Sequence, residues 1–265
     1  LFFKIGSIWE TEDEAGFSHF LEHLIFKSTQ KYPDNKIMER VTELGGSINA
    51  YTEYYSTCVF ITLPSRYLSD GLELLSQMAM QVNFSDKDFS VEKRVVLEEF
   101  KQIRNDPEDF FLEEIPKKYF TNNPFSKQII GSMNTLKKST ADDLRKFYES
   151  YYCPDNSFLV VTGDFEEDYL LRQVSTYFSD WVGTSRPKIS VVDELPSNEA
   201  DYTTIKQTGK NDILAFIVPE LPETDPDVHA LNLAVSIFCV GKNSRLSERL
   251  INNEKIVDHF KTHSL

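Results

Sequence analysis

Apolar and polar positions along the chain follow two rhythms, a period of two and a period of three to four, and the changes of rhythm mark the elements. Leu1 to Ile8 is apolar enough for a strand, and the acidic loop WETEDEAG leads from it into FSHFLEHLIFKS, whose apolar residues fall at helical spacing. Acidic residues just ahead of a helix suit its positive N-terminal end. DNKIMERVTELGG repeats the helical spacing through Ile37, Met38, Val41 and Leu44, then stops at a Gly-Gly pair. SINAYTEYYSTCVFITLP is rich in β-branched and aromatic residues and closes at Pro64, which predicts a strand or hairpin. YLSDGLELLSQMAMQV predicts a helix. SDKDFSVEKRVVLEEFKQIRNDP predicts a longer one, with Ser85 or Ser90 as N-cap and Pro107 beyond its end. After a looser Phe-rich stretch, STADDLRKFYESYY opens a helix on an S/T-x-x-D cap, NSFLVVTGDF predicts a buried strand, and EEDYLLRQVSTYFSDW another helix.

Residues 183 to 200 lose the periodic apolar positions and contain two prolines, which makes 186–200 the linker candidate between a first domain at 1–185 and a second at 201–265. Beyond the linker come a strand pair around YTTIKQTGKNDILAFIVPE, an acidic loop LPETDPD and a helix VHALNLAVSIFCVG. Strand, acidic loop and helix stand in the same order at the start of the chain, a weak internal duplication whose second copy lacks the His and Glu residues. Helices mixed with adjacent strands give an α+β fold, an antiparallel-rich sheet packed with helices.

Composition narrows the function. The 28 Lys and Arg against 42 Asp and Glu leave a net charge of −14, which argues against nucleic acid, since phosphate binding needs a basic face. An acidic surface favours neutral or basic ligands. Cys58, Cys153 and Cys239 are odd in number and far apart, so neither a disulfide framework nor a thiolate metal site is expected, and a reducing soluble compartment (cytoplasm or an organelle matrix) is. No stretch reaches the about 18 apolar residues of a membrane span.

The chemistry lies in GFSHFLEHLIF. On a helix, His19, Glu22 and His23 share a face, at i, i+3 and i+4. Two imidazoles so placed can bind one ion, and H-x-x-E-H is the reversed order of the common zinc-peptidase helix motif, the inverzincin form. A lone H-x-x-x-H pair is more commonly two harmless histidines; the intervening Glu and the apolar flanks shift the balance towards a dry metal site. A third ligand, a carboxylate from another element, is required. VEKRVVLEEF offers Glu92, Glu98 and Glu99; Glu92 and Glu99 are two turns apart on one face, whereas Glu98 points about 100° away from Glu99. His259 and His263 repeat the i, i+4 spacing but have no carboxylate helix after them, and His229 stands alone. No nucleophile elbow, P-loop or dinucleotide fingerprint is present.

The run GS-x-x-E-x-x-x-x-A-G-x-x-H-F-L-E-H followed by F-K-S-T resembles the M16 family of zinc metallopeptidases, the group of mitochondrial processing peptidase, pitrilysin and insulin-degrading enzyme. LGGSINAYTEYYSTCVF, NPFSKQIIGS, YYCPDNSFLVVTGDF and GKNSRLSERLINNEK stand in the order that family has them. The resemblance implies one Zn²⁺ per chain held by His19, His23 and Glu99, the last of which follows His23 by 76 residues (99 − 23). It implies Glu22 as general base and Glu92 as a supporting carboxylate. It also implies a substrate-binding edge at Ser47, Ile48, Asn49, Ala50, Tyr51 and Thr52, and so a zinc endopeptidase acting on extended peptides; the acidic charge balance would then favour basic ones. The chain opens inside a strand pattern, and its later part is shorter than the family's second domain, so remaining M16 domains are expected in cis or from a second subunit. A non-catalytic M16-fold subunit or fragment that binds substrate is the alternative.

Overall fold

The first strand, β1 (Phe2–Phe3), is short but central: its backbone pairs on both sides, and Phe3 and the following Ile5 are fully buried. The strand expected over residues 1–8 thus contracts to a two-residue ladder, because the chain turns at Gly6 into a 3₁₀ turn at Ser7–Trp9. Gly6 is required there, since a Cβ would stand 2.2 Å from the Glu53 carbonyl. Next come helix α1 (Phe17–Ile25), helix α2 (Lys36–Glu43), and a hairpin of β2 (Ser47–Thr52) and β3 (Thr57–Thr62) paired from Ser47↔Thr62 to Thr52↔Thr57. Helices α3 (Leu68–Met80), α4 (Asp86–Asn105), α5 (Pro107–Tyr119), α6 (Met133–Lys138) and α7 (Ala141–Tyr151) follow, then β4 (Ser157–Phe158) and α8 (Glu167–Phe178). All pairs are antiparallel and the sheet order is β2-β3-β1-β4, so the mixed α+β expectation holds.

This computed structural model describes residues 1–120, 123–187, 203–205, 212–217, 221–222 and 224–262. They divide into two units, Leu1–Asp212 and Ile213–Leu265. The linker expected at 186–200 lies almost wholly outside the described residues. So does part of the second strand pair, and the described positions 203–205 and 212–217 carry no strand. The second unit contains α9 (Val228–Cys239), on which His229 is exposed, and a π-helical turn at Ser247–Asn253. His263 is outside the described residues.

Two helix boundaries show how local chemistry sets the frame. Ser85 caps α4 by accepting the Asp88 N–H while the Asp88 carboxylate accepts the Ser85 N–H, a reciprocal capping box. At the far end Asp106 closes α4 and at once caps α5, its side chain accepting the N–H groups of Glu108 and Asp109, with Pro107 at the first helical position. Pro107 therefore starts a second helix, α5, in the Phe-rich stretch that lacked a clean period. NSFLVVTGDF departs from expectation: only Ser157 and Phe158 pair, and Phe158 and Val160 are exposed. Its partner β1 offers only two residues to pair with, so the ladder ends where β1 does.

Candidate metal centre

Helix α1 is divided lengthwise. Phe17, Ser18, Phe20, Leu21, Leu24 and Ile25 are buried, and His19, Glu22 and His23 form the half-buried stripe between them. The helix is fixed by its aromatic contacts: Phe20 stacks on Phe89 of α4 at 5.2 Å between centroids, and Phe17 meets Phe147 of α7 edge to face at 5.7 Å. Its N-terminus is held by Glu10, fully buried, whose two carboxylate oxygens accept the N–H groups of Gly16 and Ser18, each at 2.7 Å. Burial nevertheless pushes the Glu10 carboxyl up to about 7. Of the acidic residues in the loop, this is the one that meets the helix end.

On α4 the buried face is Phe89, Glu92, Val96 and Phe100, so Glu92 occupies a core position and Glu99, two turns on, lies at the same edge. Both meet α1. His19 Nε2 is 3.7 Å from Glu99 Oε1 and His23 Nε2 is 3.4 Å from Glu99 Oε2. The two imidazoles are 4.8 Å apart between centroids and inclined at 70°. One ligand atom from each of His19, His23 and Glu99 falls within 4.8 Å of the others, a group that could hold a metal ion. Two imidazole nitrogens and one carboxylate oxygen suit zinc, and three protein donors leave a position open. Glu98 turns away, 64% exposed, and is paired with Lys101.

The remaining residues refine the electrostatics. Burial lowers the His19 pKa to about 4, against the opposing pull of Glu99. His23 is also desolvated, but its hydrogen bond to Glu99 and the charges of Glu99, Glu22 and Glu92 outweigh burial and raise its pKa. Glu99 is lowered, chiefly by that hydrogen bond. Burial raises Glu22, although Thr52 Oγ1 donates to its Oε2 at 2.6 Å. Glu92 faces His23 Nδ1 at 3.5 Å with one oxygen and Lys27 Nζ at 2.9 Å with the other. His19 Nδ1, by contrast, is buried and finds no hydrogen-bond partner among the described residues.

Strand β2 borders this group as the outer strand of the sheet. Ile48, Ala50 and Thr52 turn inward, and Ser47, Asn49 and Tyr51 are exposed. The Ala50 N–H is taken at 3.0 Å by the side chain of its neighbour Asn49. Alongside α4 a shallow groove of about 600 Å³ runs past Glu99, lined by Val91, Arg94, Val95, Glu98 and Gln102.

The structure thus brings His19, Glu22, His23, Glu92 and Glu99 together and sets Thr52 on Glu22. Sequence reasoning missed Lys27 and Glu10, which became legible only through tertiary contact. The F-K-S-T run and the G-S-x-x-E run held the signal, as motif positions without a stated job. Among the described residues no helix is long and apolar enough to cross a membrane.

Comparison with known proteins adds lineage to this geometry. A zinc protease of Rickettsia felis, itself named as uncharacterized, is 30% identical over 176 residues, covering 66% of this chain and 43% of that protein. The zinc protease PqqE of Helicobacter pylori is 26% identical over 269 residues, covering 99% of this chain and 60% of that one. The chain spans about half the length of these curated relatives. The crystal structure of a protease from Helicobacter pylori superposes with a TM-score of 0.86 at 24% identity, over 100% of this chain and 64% of that one, and so shares its fold. Residues 1–133 match the family described as insulinase (peptidase family M16), and residues 138–264 the one described as the peptidase M16 inactive domain. Little of the sequence lies outside those two matches, and the chain belongs to the M16 peptidase family.

Proposed function

We propose that this chain carries the zinc centre of an endopeptidase that hydrolyses peptide bonds in extended peptides or unfolded segments. The observation behind it is the convergence of His19, His23 and Glu99 on one point with Glu22 on the same helix face. Relatives named as zinc proteases support it. In this reading His19, His23 and Glu99 hold the ion and Glu92 backs His23. When bound, zinc acts as a Lewis acid on the scissile carbonyl and lowers the pKa of water to about 7.

Glu22 is the general base. It takes a proton from the attacking water and hands it to the leaving nitrogen. Thr52 holds Oε2, which leaves Oε1 for the proton, and the raised proton affinity of this half-buried carboxyl suits a group that must keep the proton between the two transfers. Substrate adds as a strand along β2, from Ser47 to Thr52, through main-chain hydrogen bonds indifferent to sequence. The Asn49 side chain now occupies the Ala50 N–H, so an incoming strand displaces it. The carboxylates around the site and the net charge of −14 favour basic peptides. Residues 1–185 form the metal-bearing domain, 201–265 open a second similar one, and further M16 domains are supplied in cis or by a second subunit.

The test is hydrolysis of a quenched fluorescent peptide by zinc-loaded wild type and Glu22→Gln. The variant holds zinc as the wild type does and loses roughly 10²–10⁴-fold in turnover, the usual contribution of a positioned base. Equal turnover by the two zinc-bound proteins contradicts the assignment.

A further inference from the structure

We propose that Lys27 is a positioning residue of the metal centre: its ammonium holds Glu92 against the back of His23 and so fixes the imidazole with Nε2 towards Glu99. This rests on the reading of His19, His23 and Glu99 as ligands.

Four groups stand in line. Lys27 Nζ is 2.9 Å from Glu92 Oε1, Glu92 Oε2 is 3.5 Å from His23 Nδ1, and His23 Nε2 is 3.4 Å from Glu99 Oε2. The Glu92 side chain is 7% exposed, and a carboxylate that far from water persists only when it is paired. Among the described residues its cationic partners within 4 Å are Lys27 and His23. Without Lys27, one oxygen of Glu92 has no ion-pair partner, and the carboxylate is free to turn away from His23.

The lysine is itself well placed. It lies two residues past the end of α1, its N–H donating to the Leu24 carbonyl at 3.0 Å and its carbonyl accepting the Asn35 N–H at 2.7 Å. The stem therefore starts from a fixed backbone. Among the described residues His19 has no comparable support, its buried Nδ1 finding no partner there, so the orienting contacts are concentrated on His23. Formal charge agrees: with Glu22, Glu92 and Glu99 ionised, a divalent ion and one lysine bring the half-buried cluster to neutrality. Carboxylates behind metal-bound histidines commonly set ring orientation and affinity; here a cation sets the carboxylate.

The experiment is zinc affinity, measured by competition with a chromophoric chelator on the metal-free chain. Wild type, Lys27→Met, Lys27→Arg, Glu92→Gln and the Lys27→Met/Glu92→Gln double variant are compared, with circular dichroism confirming that each is folded. Methionine keeps the length of the stem and removes the charge. Lys27→Met is expected to weaken zinc binding about 10–100-fold, the usual effect of losing an outer partner, with Lys27→Arg close to wild type. Because Lys27 acts through Glu92, adding Lys27→Met to Glu92→Gln should cost little more than Glu92→Gln alone.

Wild-type affinity in Lys27→Met overturns the proposal. So does a Lys27→Met effect undiminished on the Glu92→Gln background, or a loss in Lys27→Arg as large as in Lys27→Met. If Lys27→Met fails to fold, Lys27→Gln takes its place as the charge-free variant, with the same outcomes. A folded wild type that binds no zinc overturns the ligand assignment itself, a result distinct from wild type and Lys27→Met binding equally well.

Discussion

His19 and His23 sit one turn apart on α1, yet their environments move their proton affinities in opposite directions. Burial leaves His19 neutral at pH 7, so a metal displaces no proton from it. His23 holds its proton above the ordinary imidazole value, because Glu99, Glu22 and Glu92 outweigh its burial, and a metal must displace that proton. Glu99, lowered, is ionised throughout the neutral range. The sign follows: apparent zinc affinity rises with pH, about tenfold per unit while His23 is protonated, and levels off once His23 is neutral. Chelator competition at pH values from below 6 to above 8 checks this, and a flat profile contradicts it. At this scale the sequence was readable where chemistry follows helical period, His19, Glu22 and His23 from one face of α1, whereas the choice of Glu99 as third ligand came from the resemblance to the M16 family and not from spacing on α4. Thr52 as the partner of Glu22, and Lys27 as the partner of Glu92, were not readable. Each depends on an approach between elements 30 and 65 residues apart (52 − 22 and 92 − 27).

Among the elements, α1 matters most, and its N-terminus is set by a close approach of two backbones. Gly16 has φ +93° and Gly131 φ +83°, and the two backbones meet so closely that a Cβ on Gly16 would lie 2.6 Å from the Ile130 carbonyl. Gly16→Ala therefore meets both a left-handed backbone and a clash with main chain, which must shift. We expect it to cost about 2 kcal/mol or more in urea denaturation and to weaken zinc binding, since His19 is three residues on. A change within about 0.5 kcal/mol, typical of an unconstrained surface site, would show that the close approach is unimportant. Caps and apolar periods foretold α2, α3, α4, α7 and the β2–β3 hairpin. They failed at α5, where Pro107 read as a stop although Asp106 makes it a start, and at NSFLVVTGDF, where an apolar run finds only two residues to pair with.

Across the molecule the two units differ in how much they bury. In the first, Phe3, Ile5, Phe20, Leu24, Ile37 and Val59 are wholly inaccessible. In the second, the buried residues among those described are Val228, Ser244 and Ser247, and α9 leaves Leu233, Ile237 and Phe238 exposed, between 49% and 63%. Hydrogen exchange should reflect this: amides of α9 are expected to exchange on the order of 10²-fold faster than those of α1 and β3, corresponding to about 3 kcal/mol in opening free energy. Equal protection would contradict it. Of the internal duplication expected from the sequence, the helix is present as α9, and the strand half falls partly outside the described residues.

The most direct measurement is metal content by elemental analysis of the purified chain, wild type beside His23→Ala. About one zinc per wild-type chain is expected and none in a folded His23→Ala, because two of the three ligands cannot hold the ion with the histidine gone. A folded wild type without zinc, or a His23→Ala variant that keeps it, would contradict the assignment of His19, His23 and Glu99 as the metal centre.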